Sequence, residues 1–179
     1  VTEGHPAGLA RYALFAAMLA SAGLPIYIHA PKFYVDSYGV GLGLLGAVLA
    51  GLRLIDVVQD PALGWLAERL RRFRGLSVLL AGAVMALSMA GLFAVTPPVA
   101  PVLWFALTLT GLFSGFSYLT IVFYAQGVQT ADRLGPRGHV RLAAWRETGA
   151  LLGVCTAAVA PTLLAGAAPG PFPLFAAAF

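Results

Sequence analysis

From Gly75 to Ala131 the chain carries no Asp, Glu, Lys or Arg, and its one sharp interruption is "TPPVAP" at Thr96 to Pro101. A water-exposed bundle cannot hide such a run, because each of its helices needs a polar face. A bilayer can, since roughly 20 apolar residues in helical form cross a hydrocarbon core about 30 Å thick. Hydrophobic residues make up 60% of the chain and charged residues 10%, and the mean hydropathy is +0.87. These values predict an all-α integral membrane protein and exclude a soluble enzyme.

The spans predicted from apolar runs and breakers are 12–31, 40–66, 75–95, 101–129 and 142–164, with the start of a sixth at 172–179 in "FPLFAAAF". All belong to one bundle over residues 1–179, read as the first six helices of a larger arrangement cut within the sixth. Each connection has its own breaker: "PKFYVDSYG", "RRFRG", "TPPVAP" and "ADRLGPRGH". Connections this short place neighbouring helices antiparallel. The first apolar segment is too long for a signal peptide and stays in the protein.

The pI near 9.6 is a topology signal and does not point to nucleic acid. Arg69, Arg71, Arg72 and Arg74 follow the second span, Arg133, Arg137, His139 and Arg141 precede the fifth, and the opposite loops are uncharged. Under the positive-inside rule the basic loops and the N-terminus are cytoplasmic, as in a bacterial inner membrane. Cys155 is the single cysteine, in an apolar helix, and reads as packing. No nucleophile, metal-ligand set or cofactor motif suggests an enzyme.

Against this background "LRLIDVVQDPALGWLAERL" is anomalous, because Arg53, Asp56 and Asp60 stand at i, i+3 and i+7 on one helical face. Each charge at mid-membrane costs about 2.5–3.5 kcal/mol on insertion scales, so the stripe faces a bundle interior or a wet cavity. Two carboxylates one turn apart need something positive between them: a proton, a cation such as Na⁺, or an arginine. Pro61 cannot donate a hydrogen bond to the carbonyl of Val57, which leaves an oxygen for a hard cation. The competing reading is a static ion pair, with Arg146 or Glu147 of the fifth span as partners.

Other features carry weaker signals. Gly39, Gly43, Ala47 and Gly51 recur every four residues, a pattern that lets a helix approach closely. Ser117, Thr120 and Tyr124 form a polar stripe on the fourth span, suited to a ligand or to a neighbouring helix. Lys32 and Tyr34 read as interface anchors, and His29 as a polar residue at the membrane boundary or a proton relay.

The second span ends in "GWLAERLRRFRG", where Gly64, Glu68, Arg69 and Arg72 resemble the loop between the second and third helices of the major facilitator superfamily. In that reading Glu68 and the arginines form a cytoplasmic clamp that makes and breaks as helices rock; the alternative is a charge run that sets topology. The whole stretch "RLIDVVQDPALGWLAER" resembles, more narrowly, the glycoside-pentoside-hexuronide:cation symporters, the melibiose-carrier-like family, with similarity from Tyr12 to about Gly153. The resemblance implies that Asp56 and Asp60 bind the coupling cation, Na⁺ or H⁺, with Arg53 tuning the site. It also implies that Arg146 faces the substrate cavity, for which Thr120 and Tyr124 of the polar stripe are the further candidates. No other cofactor is implied.

An alignment from Tyr12 places Ala20 where the carrier has a sugar-binding aspartate, and "SYLTIVFYAQ" has Val122 in place of a proline. The substrate is left open between a sugar or glycoside and a lipid-like cargo. The expected function is cation-coupled symport of a small solute by alternating access, with the lipid bilayer and either a C-terminal half or a second subunit as partners. The alternative is a degenerate half-transporter acting as a membrane interaction protein.

Overall fold

A computed structural model describes residues 6–24, 27 and 29–165. The expected start of a sixth span at 172–179 lies outside the described residues. The helices are α1 (Pro6–Leu24), α2 (Ala30–Tyr38), α3 (Leu42–Arg69), α4 (Arg74–Phe93), α5 (Pro101–Arg133) and α6 (Gly138–Ala165), with a 3-10 turn at Leu70–Phe73 between α3 and α4. No strand occurs among the described residues.

The first connection departs from expectation. The segment "PKFYVDSYG", read as a loop, is helical in α2 as far as Tyr38. Pro31 sits in the first turn, where its missing N–H costs nothing. Lys32 donates to Asp36 one turn on at 2.8 Å, and Gly39 ends the helix in the left-handed region at φ 64°. Tyr34 is not an interface anchor but is fully buried, with its ring 4.9 Å from Phe105, while Phe33 lies 5.6 Å from Phe93. The i, i+3/i+4 spacing of these aromatics lets α2 close one end of the α4–α5 pair.

The long helices alternate in direction. Gly91 faces Thr108, Gly111 faces Ser88, and Gly115 faces Ala81 and Met85, so α4 and α5 are antiparallel. Tyr12 stacks on Phe123 at 4.2 Å and Tyr27 on Phe113 at 5.9 Å, so the chain through α1 runs antiparallel to α5. Gly149 meets Ala13 and Gly153 meets Ala17, so α6 lies parallel to α1. Arg53 reaches Phe113 and Gln59 reaches Ser114, which sets α3 parallel to α5.

Close approach occurs where small residues leave room, but not on the stripe expected to provide it. A Cβ added at Gly43 or Gly51 of α3 would meet nothing within 4 Å, whereas one at Gly149 or Gly153 would strike the backbone of α1. Period-four small residues permit contact on both helices; among the described residues α6 has a partner against that face and α3 does not.

The core centres on α5, whose Phe105, Leu109, Leu112, Phe113, Leu119 and Phe123 pack with Met85, Met89 and Leu92 of α4. By contrast α3 buries only Leu45 and Leu52 and leaves Leu54, Val57 and Val58 exposed. Among the described residues two stretches are long and apolar enough to cross a membrane: Leu42–Phe93, which joins α3 to α4, and Pro101–Arg133, which is α5. The apolar part of α1, Gly8–Gly23, is shorter.

Candidate functional site

Arg53, Asp56 and Asp60 line a cavity of about 390 Å³ between α3 and α5, closed at one end by Gly23 and Tyr27. The three face one space because α3 stays helical through Pro61, so the i, i+3, i+7 series keeps its common side. Arg53 Nη1 donates to Asp56 Oδ2 at 3.1 Å, and the Asp56 side chain is 13% exposed against 57% for Arg53. The guanidinium lies over the Tyr27 ring at 5.0 Å and the Phe113 ring at 5.3 Å, a cation–π clamp that fixes its direction. Asp60 makes no ion pair or hydrogen bond among the described residues.

The α5 wall supplies Ser117 and Thr120. Thr108, Thr110 and Ser114 each return their hydroxyl to a carbonyl one turn back on the same helix, which is how such groups are satisfied away from water. The Thr120 hydroxyl is buried without a partner among the described residues. A buried hydroxyl left unpaired is costly, and Thr120 lines the same cavity as Asp60. Gln59, which the sequence reading overlooked, donates to Ser114 at 3.0 Å and ties α3 to α5 next to the site. An amide immediately before Asp60 in an apolar helix was the available signal.

No group of three His, Cys, Asp or Glu that could hold a metal occurs among the described residues. The oxygens present, two carboxylates and a hydroxyl, suit a hard monovalent cation or a proton.

The remaining expected residues divide between two other places. Tyr124 and Arg146 share a smaller cavity of about 90 Å³ with Tyr12 and His139, apart from the aspartates. The Arg146 guanidinium lies 4.9 Å from the Tyr124 ring and pairs with Glu147 of its own helix at 2.7 Å. The pairing of the α3 charges with Arg146 or Glu147, weighed from sequence, is thus not formed. Tyr124 stands one turn beyond Thr120, about 6 Å along the axis, which takes it out of the first cavity. Ala20 is half-buried on α1, and Gly23 rather than Ala20 lines the aspartate cavity.

At the end of α3, Gly64 faces open space. Glu68 accepts from Arg71 at 3.4 Å, and Arg69 lies over Trp65 at 4.3 Å. Arg72 is exposed in the 3-10 turn. Where Glu68 was expected to engage the arginines around it, its partner is Arg71, one turn on. At the α5–α6 turn His139 and Asp132 form a similar local pair at 2.9 Å.

The described residues are helical apart from short turns, two stretches among them are long and apolar enough to cross a membrane, and an intramembrane carboxylate without a cation marks a candidate ion or solute path. Residues 11–175 match the family described as MFS/sugar transport protein, and the chain belongs to that family, within the major facilitator superfamily. No curated protein and no solved structure matches the chain.

Proposed function

We propose that this chain is the N-terminal six-helix half of a cation-coupled symporter of melibiose-carrier type, working by alternating access on a sugar, glycoside or comparable small solute. The observation that carries the reading is the division of labour on α3: Asp56 is held by Arg53, while Asp60 shares its cavity with the unpartnered Thr120 hydroxyl. A Na⁺ or a proton at Asp60 would neutralise the free carboxylate, with Asp56, Thr120 and the Val57 carbonyl completing an oxygen shell around a metal ion. Cation binding then favours the solute-binding state, and solute raises cation affinity by the same factor.

In this reading the basic turns and the N-terminus face the cytoplasm of a bacterial inner membrane. Tyr124 and Arg146 lie deeper toward that side, as part of a cytoplasmic gate with Glu68, Arg69, Arg71 and Arg72. The exposed Leu54, Val57 and Val58 of α3 and the uncovered Gly43 and Gly51 favour a covering element, either a C-terminal half or a second subunit. The same open face supports a second reading, a half-transporter that binds a membrane partner or handles a lipid-like cargo.

The test is uptake of a panel of radiolabelled glycosides into proteoliposomes holding the full-length protein, with an imposed Na⁺ or pH gradient. Accumulation driven by one gradient, abolished by Asp60→Asn while solute exchange persists, is the expected outcome. Uptake that ignores both gradients would sink the symport reading, and absence of any uptake would favour the half-transporter.

A further inference from the structure

Arg11 of α1 and Arg74 of α4 line a single cavity of about 500 Å³ between α1, α4 and α5, separate from the aspartate site. No carboxylate lines this space. Among the described residues neither side chain makes an ion pair or a hydrogen bond, whereas Arg53, Arg71 and Arg146 each hold an acid. Two guanidiniums lining one cavity repel each other, the one on Arg11 exposed and the one on Arg74 half-buried. They are stable together when an anion lies between them.

The cavity has two kinds of wall. Gln126 adds amide donors beside the arginines, and Gly75, in the first turn of α4, brings the positive end of that helix to the same space. The other wall is Val78, Leu119 and Phe123, with Leu119 and Phe123 buried in the bundle. A small soluble anion would satisfy the arginines and leave the part of the apolar lining that still faces the cavity, Phe15 and Val78 among it, without a partner. A ligand that satisfies both walls is an anionic amphiphile.

We propose that this cavity binds the phosphodiester of an anionic phospholipid, with the phosphate between Arg11 and Arg74 and an acyl chain along Val78, Leu119 and Phe123. Each guanidinium presents a planar fork of donors, and two forks from different helices match the several acceptor oxygens of a phosphate better than the two of a carboxylate. The bound lipid ties α1 to α4, two helices that otherwise meet mainly through α5. The inference rests on the membrane reading alone and is independent of cation coupling or solute.

The test is native mass spectrometry of the full-length protein released from detergent with palmitoyl-oleoyl phosphatidylglycerol, the matching phosphatidylcholine, or inorganic phosphate. Phosphatidylglycerol should be retained about tenfold better than phosphatidylcholine, and Arg11→Gln/Arg74→Gln should erase that preference, as the loss of two charge-assisted contacts would. Arg11→Lys/Arg74→Lys should restore part of it. Equal retention of the two lipids by the native protein overturns the proposal, as does an undiminished preference in the folded double glutamine variant. Phosphate that protects the protein from heat while phosphatidylglycerol does not would assign the site to a soluble anion and also overturn it. Should the double variant fail to fold, Val78→Trp fills the cavity without touching charge; it should remove the preference, and a preference that persists in it counts against the site.

Discussion

Arg53 reaches back to Asp56 at 3.1 Å and leaves Asp60, one turn further along α3, facing the same cavity without a cation of its own. The two aspartates are therefore unequal. Asp60→Asn removes an uncompensated carboxylate, so the unliganded protein should be as heat-stable as the parent or slightly more so, while cation affinity falls at least about tenfold. Asp56→Asn leaves Arg53 unpaired and should destabilise by about 1 kcal/mol or less, because the guanidinium is half in solvent. Thermal unfolding in detergent with and without Na⁺, at two pH values, separates the two; identical behaviour of both variants would refute the inequality.

Thr120→Val keeps the shape of the side chain and deletes a hydroxyl that has no partner. Stability should rise by up to about 1 kcal/mol while cation affinity drops. Thr110→Val, whose hydroxyl returns to the Ala106 carbonyl, should leave affinity unchanged. Cation titration of the two variants side by side checks this, and equal loss in both would remove Thr120 from the site.

A methyl at Gly153 meets the backbone at Ala17, while a methyl at Gly43 meets nothing. Gly153→Ala should cost about 1–3 kcal/mol through overpacking, and Gly43→Ala should stabilise by about 0.5–1 kcal/mol through helix propensity. Melting temperatures of the purified variants report the sign directly. A drop for Gly43→Ala would mean that another element covers that face in the intact protein.

Gln59 and Ser114 form a polar tie between α3 and α5 at 3.0 Å. A double-mutant cycle with Gln59→Leu and Ser114→Ala should give a coupling energy near 1 kcal/mol. Additive effects would show that the bond contributes nothing beyond its two side chains.

Much of the helical order was legible because charge-free runs and their breakers are strong, local signals; α3 to α6 lie over segments predicted as spans. α2 was not legible, since a nine-residue helix with proline at its start and mixed polar and aromatic residues lacks a run to detect. The acidic stripe stood out through its cost in an apolar setting, and its common face follows from helical spacing alone. That Arg53 holds Asp56 also follows from spacing, since i+3 is a neighbour on the helix surface and i+7 lies about 10 Å along the axis; the rings of Tyr27 and Phe113 over the guanidinium come from other segments and leave no trace in that spacing. The separation of Tyr124 and Arg146 from the aspartates is a matter of depth, which spacing along a single helix does not fix. The glycine patterns of α3 and α6 look alike in sequence and differ only in what stands opposite.

The parallel packing of α1 on α6 sets a constraint on biogenesis. At ~5–20 residues per second, α1 leaves the ribosome and enters the bilayer many seconds before α6 has been synthesised. During that interval the surface around Ala13 and Ala17 must lie against lipid. Its small apolar side chains bear that exposure without cost, so the nascent helix can wait for its partner without being trapped by another one.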